Sequence, residues 1–298
     1  MCFRGSYCYW EYWDRQIKEI LKLAAQQLAT PKWPAISGEL WLLNFAIQTA
    51  RAAGGVLLDR LGRAQVSNKG TIDLVTDADL AAEKLIIDRI RSHYPRHAIL
   101  AEESGASEGA TSIPGESEWR WIIDPLDGTT NYAHGYPCFC VSIGVERAGR
   151  MEIGVVYDPM RDEVFAAERG QGATLNERRM RVSEVEDLNH AMLCTGFPYN
   201  VRERPDFARD FTNFTMQAQA VRRDGSAAID LAYVACGRFD GFWEDGLNPW
   251  DVAAGILLIE EAGGRVTNYE NAPLDIYTKK VVASNGLVHE AMMSVLRS

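Results

Sequence analysis

The stretch Trp121-Ile122-Ile123-Asp124-Pro125-Leu126-Asp127-Gly128-Thr129-Thr130-Asn131 decides how this chain is read. An apolar run stops at two acids three residues apart, with a proline between them and Gly-Thr-Thr after. Short apolar runs bounded by turn residues read as buried strands. Proline lacks the N–H that a ladder needs, so Pro125 is expected to end the pairing and stiffen the exit. Asp124 and Asp127 then share one tight turn at the strand's C-terminal end, where their carboxylates repel. Such an arrangement persists only if one acid stays protonated or a cation lies between them. Gly128, Thr129 and Thr130 add close-approach backbone, hydroxyls and N–H donors of the kind that suit a phosphate. An isolated D-x-x-D is better served by a plainer reading, an Asx-turn leading into a capped helix, so other segments must tip the balance.

They do. Ile99-Leu100-Ala101-Glu102-Glu103-Ser104-Gly105 is again a short apolar run entering acids. Asp73-Leu74-Val75-Thr76-Asp77-Ala78-Asp79 leads into a helix with Asp77 or Asp79 near its start. Phe242-Trp243-Glu244 is followed by Gly246-Leu247-Asn248-Pro249-Trp250-Asp251, and Asp251 opens an apolar helix, Val252 to Ala262, that stops at Gly263-Gly264. Each acid lies at a strand end or a helix start, where loops build sites. Hard oxygen ligands without His or Cys select Mg²⁺, Mn²⁺ or Ca²⁺. If Asp79, Glu102, Asp124, Asp127 and Asp251 converge, two or three divalent cations nearly balance their charge.

This constellation resembles the inositol monophosphatase family, within the larger group of lithium-sensitive, magnesium-dependent sugar phosphatases. The resemblance runs from about Gly38 to the C-terminus. Asp124-Pro125-Leu126-Asp127-Gly128-Thr129-Thr130-Asn131, Glu102-Glu103-Ser104 and Pro249-Trp250-Asp251 follow the family's order and spacing. Gly154-Val155-Val156-Tyr157-Asp158-Pro159-Met160 and Arg169-Gly170-Gln171-Gly172-Ala173 look especially like bacterial and cyanobacterial or plastid members. Three positions depart from the pattern: Ala101 where glycine is usual, Asn176-Glu177 where a hairpin usually has Asn-Gly, and Asp77 as an extra acid. None removes a ligand.

The resemblance implies a layered α/β (α+β) fold, the αβαβα sandwich of this sugar phosphatase type. It implies hydrolysis of myo-inositol monophosphate, or a related polyol or sugar phosphate, by metal-activated water, with lithium sensitivity and a homodimer. Carried over residue by residue, Glu102, Asp124 and the Leu126 carbonyl hold a first Mg²⁺. Asp124, Asp127 and Asp251 hold a second. Glu102 shares a more labile third, which Asp79 reaches through waters; Mn²⁺ is the expected substitute. Glu102 and Thr129 orient the attacking water. The Gly128 and Thr129 N–H groups cradle phosphate, with Asp127 also beside the substrate. Gly225, Ser226, Ala227 and Glu244 face the alcohol, and Glu244 accepts hydrogen bonds from ring hydroxyls. The competing substrates are histidinol phosphate and fructose 1,6-bisphosphate. Thr130-Asn131 disfavours a phosphoadenosine phosphate, because those relatives usually carry Lys or Arg after Gly-Thr. A competing role of another class is a regulatory protein that binds the transcription machinery.

Composition agrees with a soluble enzyme. A chain of 298 residues suffices for one large domain or two lobes. The net charge of −10 argues against a general nucleic-acid binder, which would show basic patches. No apolar run is long enough to span a bilayer. There is no G-x-x-x-x-G-K-[ST], so a nucleotide P-loop is unsupported. The six cysteines fit no zinc or redox spacing, and free thiols suit a reducing, cytoplasmic compartment. Cys138 and Cys140 flank Phe139 on an expected strand, which puts both on one face as small buried residues. His93, His97, His190 and His289 lie outside the motifs and read as surface or capping residues. His134, just past the Asp124–Asn131 block, is the one histidine positioned to edge a pocket.

Residues 1–35 read as an aromatic-rich amphipathic extension, with Trp10, Trp13, Ile17, Ala24 and Leu28 on one stripe and Pro31 and Pro34 ending it. Residues 36–298 form the expected inositol monophosphatase-like domain, with a first lobe over about 36–185 and a second over about 186–298. Periodicity predicts helices over Glu39–Leu61, Asp79–Ser92, Asp206–Gln217 and Ser226–Cys236, one from Asp251 and one from Leu287. Strands are expected at Ala98–Ala101, Trp119–Ile123, Phe139–Glu146, Glu152–Tyr157, Val164–Ala167, Met192–Thr195, Gln219–Arg222, Phe239–Glu244 and Val281–Ala283. Gly149-Arg150 is expected as a hairpin turn. Ala106–Ser117, rich in Gly, Ser and Glu, is the expected mobile link.

Overall fold

Alternating burial along two neighbouring segments sets the layers. In a strand, successive side chains point to opposite faces. Cys138 and Cys140 enter one buried cluster, and Phe139 enters another. The computed structural model describes residues 38–68, 74–109, 118–198 and 205–298. The aromatic-rich extension over residues 1–35 and most of the Ala106–Ser117 link lie outside them.

The first layer is helical. Helix α1 (Gly38–Arg60) and helix α2 (Asp77–His93) bury Ala46, Ala50, Ala53, Leu57, Ala82, Ile86 and Ile90 against a sheet. A short ladder between β1 (Val66–Asn68) and β2 (Leu74–Thr76) joins the two helices. Thr76 caps α2: its hydroxyl accepts from the Ala78 N–H, while the Asp79 carboxylate accepts from the Thr76 N–H at 2.9 Å. Asp77, the extra acid, accepts from Arg60 and from the Gln65 N–H, both at 2.8 Å, and so ties α1 to α2.

The second layer is an eight-stranded sheet. Its strands are β3 (Ala98–Ala101), β4 (Gly105–Ser107), β5 (Trp119–Asp127), β6 (Cys140–Arg147), β7 (Arg150–Asp158), β8 (Glu163–Glu168), β9 (Gly172–Leu175) and β10 (Arg178–Arg179). Their order is β10-β9-β8-β7-β6-β5-β3-β4, antiparallel except for β3 beside β5. The turn between β6 and β7 is Ala148-Gly149, one residue before its expected place.

Pro125 does not end β5, contrary to the sequence-based expectation. Asp124 pairs with Ser142 and Asp127 with Cys140, so β5 carries one extra residue between these pairs. A bulge lets a residue without an N–H sit inside a paired strand, and it re-aims the side chains around it.

The third layer is α5 (Ala227–Ala235) and α6 (Pro249–Glu261), nearly all apolar and buried on both sides. The fourth is a five-stranded sheet of order β12-β11-β13-β15-β14. Its strands are β11 (Met192–Thr195), β12 (Ala220–Arg222), β13 (Gly241–Asp245), β14 (Arg265–Thr267) and β15 (Lys280–Ser284). The outer face of this sheet, with Leu193, Trp243 and Val282, is covered by α4 (Pro205–Gln217) and α7 (His289–Leu296) through Phe214, Met292 and Met293. Together with the five-residue α3 (Thr129–Ala133), these elements make the expected αβαβα sandwich.

His289 is not a surface residue. It is fully buried, between the Thr267 and Ser284 hydroxyls at 2.9 Å each, and burial pushes its pKa down to about 4. Two hydroxyls satisfy a neutral imidazole, so it serves as a core hydrogen-bonding residue. The short β4, β9, β10 and β14 were not foreseen; two to four residues carry too little periodicity. The β9–β10 turn is Asn176-Glu177, with φ of 47° and 67°. That primed turn explains why glycine is usual at the second position.

Close approach of α6 to the first sheet depends on a glycine pair. Gly144 and Gly154 face each other across β6 and β7. A Cβ on Gly154 would lie 2.6 Å from the Ala254 carbonyl oxygen, and one on Gly144 would lie 2.8 Å from the Ala253 Cβ. Since the obstacle at Gly154 is helix backbone, Gly154→Ala should lower the unfolding free energy by about 1–3 kcal/mol, the usual cost of overpacking. A urea melt measures this. An unchanged midpoint would mean that α6 is free to lift from the sheet.

Candidate active site

The bulge of β5 delivers Asp124, Leu126 and Asp127 to the end of the first sheet. Beside it, β3 is followed at once by Glu102, whose N–H donates to the Ile123 carbonyl at 3.1 Å. From the other side, α6 begins with Asp251 in its first turn, where the helix dipole favours an anion. Asp251 accepts from the Asn248 N–H at 2.6 Å. Strand β13 carries Glu244 next to its last residue, and the start of α5 with the segment before it supplies Gly225, Ser226 and Ala227. All of these side chains and segments line one pocket, together with Gly128 and Thr129.

Asp79 stands behind that lining, fully buried. One of its oxygens is held by Thr76; the other accepts from the Thr129 hydroxyl at 3.1 Å. The same hydroxyl lies 3.1 Å from the Leu126 carbonyl. Gly128, in a left-handed conformation (φ 96°), is the N-cap of α3, so the Thr129 side chain is not spent on capping. His134 is exposed at the end of α3 and does not line the pocket.

The electrostatics are those of carboxylates short of positive charge. Burial is the main cause that lifts the Asp124 carboxyl well above the usual range, and Glu102, Asp127 and Asp251 lift it further. Asp124 also shares a hydrogen bond with Glu102. Burial and then Asp127 raise Asp251 in the same way. Glu244 is pushed up to about 8 by burial and by Asp127. Burial raises Asp127 as well, but donors from Ser226 and Ala228 pull against it. Protonation is one answer to such crowding, and a cation is the other.

Among the described residues no three His, Cys, Asp or Glu groups stand in joint reach of one ion. The donor set still fits hard divalent cations: all oxygen, backed by a buried carbonyl, and with too little positive charge nearby. Arg223 is the single Lys or Arg among the lining residues.

Three features were missed in the sequence. Arg223 and Asp230 also line the pocket, and neither Asp230 carboxylate oxygen has a hydrogen-bond partner. Nothing in their local pattern marks them, since Asp230 sits inside an apolar helix and Arg223 in a charged link. Cys140, read as a small core residue, also brings its thiol to 3.8 Å of Asp127. Only the β5–β6 register, which sets Cys140 opposite Asp127, reveals that contact.

Comparison with known proteins agrees with the geometry. Residues 41–298 match the model of the inositol monophosphatase family. The chain is 46% identical to an inositol-1-monophosphatase of Synechocystis over 261 residues, 87% of this chain and 89% of that protein. It is likewise 46% identical to the Nus factor SuhB of Escherichia coli, over 86% of this chain and 96% of that protein. The solved structure of an inositol monophosphatase from Anabaena superposes with a TM-score of 0.79 at 47% identity, over 88% of this chain and 97% of that one. A SuhB protein from Bartonella henselae gives 0.82 at 42% identity, over 86% and 98%. The chain belongs to the inositol monophosphatase family, whose members are generally metal-dependent, and it is an enzyme of the phosphoric monoester hydrolase class.

Proposed function

We propose that this enzyme hydrolyses the phosphate monoester of a polyol, with myo-inositol monophosphate as the leading substrate, using two or three Mg²⁺ ions or Mn²⁺ in their place. The observation that carries this reading is one pocket lined at once by Glu102, Asp124, Leu126, Asp127 and Asp251, with Thr129 beside them. Glu102, Asp124 and the Leu126 carbonyl would hold one ion; Asp124, Asp127 and Asp251 would hold a second. A third would rest on Glu102 and, through waters, on Asp79. Divalent cations held there supply Lewis-acid charge for the phosphoryl and leaving oxygens and acidify water.

The chain's own groups do the orienting. The Thr129 hydroxyl donates its hydrogen bond to Asp79 or to the Leu126 carbonyl, which leaves an oxygen lone pair to accept a hydrogen bond from the attacking water. Glu102 is the second acceptor for that water. Hydrolysis of a monoester requires in-line attack and little covalent help, so positioned acceptors and charge suffice. The Gly128 and Thr129 N–H groups are assigned to the phosphate. Gly225, Ser226 and Ala227 are assigned to the alcohol side, with Glu244. The Glu244 carboxylate fills the space over Gly196, where a Cβ would lie 2.2 Å from either of its oxygens. Lithium inhibition, a homodimer and a cytoplasmic location belong to the same reading; among the described residues no helix is long and apolar enough to cross a membrane. The name Nus factor, carried by the E. coli relative, favours a second reading alongside hydrolysis, a contact with the transcription machinery.

Asp124 is assigned to two ions, so Asp124→Asn should lower kcat by at least about 100-fold, several kcal/mol of lost charge stabilisation. Hydrolysis of inositol phosphate in Mg²⁺ and in EDTA measures this. Full activity in EDTA would end the metal reading.

Glu244 is assigned to the hydroxyls rather than to phosphate, which an ionised carboxylate would repel. Glu244→Gln should weaken use of polyhydroxylated substrates by about 1–3 kcal/mol, the loss typical of a charged acceptor. An aryl phosphate, without such hydroxyls, should be little affected. Comparing kcat/KM for the two substrates tests this; an equal fall for both would assign Glu244 to the metal site or the fold.

A further inference from the structure

Helix α5 is capped from another sheet. Ser226 occupies its N-cap, yet its hydroxyl makes no cap hydrogen bond to its own helix. An N-cap serine normally spends that hydroxyl on its own first-turn N–H groups, a contribution of about 1 kcal/mol. Here the hydroxyl donates to Asp127 Oδ2 at 2.7 Å, and the Ala228 N–H donates to the same oxygen at 2.6 Å. Cys140, opposite Asp127 in the ladder, lies 3.8 Å from that oxygen and 3.7 Å from the Ser226 hydroxyl. Both side chains are buried, Ser226 at 1% exposure and Cys140 at 0%.

Three donors on one carboxylate oxygen have two consequences. They stop the carboxylate from rotating, and they engage Oδ2, which leaves the other oxygen to meet a cation. We propose that Ser226 and Cys140, together with the Ala228 N–H, are positioning residues for Asp127: they pin Oδ2 in the wall, present Oδ1 to the pocket, and thereby set divalent-cation affinity. The inference rests on the metal-dependent reading above. It also ties the segment Gly225–Ala227 to the metal site, because the residue that leads into α5 is the one that holds Asp127.

The test is a calorimetric titration of Mg²⁺ into substrate-free protein, run on wild type, Ser226→Ala, Ser226→Thr and Cys140→Ala. Ser226→Ala should weaken Mg²⁺ binding by about 10-fold, at the low end for loss of a group that supports a metal ligand. Ser226→Thr, which keeps a hydroxyl, should stay within about threefold of wild type, and Cys140→Ala should lose about two- to fivefold, since a thiol is the weaker donor. The Mg²⁺ concentration that half-saturates hydrolysis should rise by the same factors. Unchanged Mg²⁺ affinity in Ser226→Ala would overturn the proposal. Equal losses in the Ala and Thr variants would overturn it too, since they would report helix packing and not the hydroxyl. Should Ser226→Ala fail to fold, Cys140→Ala decides: wild-type affinity there contradicts the proposal. A wild-type protein that binds no divalent cation at all would overturn the metal reading itself, a result distinct from variants that bind as wild type does.

Discussion

Four carboxylates with too little positive charge around them are the constraint on which this molecule turns. Glu102, Asp124, Asp127 and Asp251 share a pocket in which burial already disfavours ionisation. Each is brought there by backbone that cannot easily yield. A bulge fixes Asp124 and Asp127, the end of β3 fixes Glu102, and the first turn of α6 fixes Asp251. The fold therefore holds like charges together, and it meets that cost by protonation, by donors such as Ser226 and Ala228, or by cations. The proposed hydrolysis of a phosphate monoester rests on the third answer.

The layering explains why these elements meet. Helix α6 lies between the two sheets, close to the first because Gly144 and Gly154 leave no side chains beneath it. Its N-terminus thus reaches the open end of the first sheet. Helix α5, its neighbour in the same layer, presents its own N-terminus to Asp127. The central helical layer carries both functional helix starts, and the outer helices α1, α2, α4 and α7 stabilise the sheets from outside.

Much of this is legible in the sequence because the site is made of strand ends and helix starts, which have local signatures. Asp124, Asp127, Glu102 and Asp251 each sit where an apolar run begins or stops, so composition alone marks them. The long helices and central strands were readable for the same reason. What the sequence hides is contact across the fold. Pro125 looks like a strand terminator until the β6 partner shows one extra residue accommodated as a bulge. Cys140 looks like any small core residue until register sets it against Asp127. His289 sits next to the charged Glu290 and looks exposed, yet two hydroxyls from distant segments enclose it. Asp230 is the strongest case: an acid in an apolar helix, with neither oxygen hydrogen-bonded, whose surroundings no local pattern reveals.

The central claim is that cations replace protons on these carboxylates. Without metal, burial and mutual repulsion raise Asp124 and Asp251 well above the usual carboxylate range, which favours bound protons. Metal binding favours the ionised form and must expel them. Calorimetric titration of Mg²⁺ at pH 7, in two buffers of different ionisation heat, measures that exchange directly. The account predicts a binding heat that differs between the buffers in the sense of net proton release. The same heat in both, with Mg²⁺ bound, would show carboxylates already ionised and would contradict it.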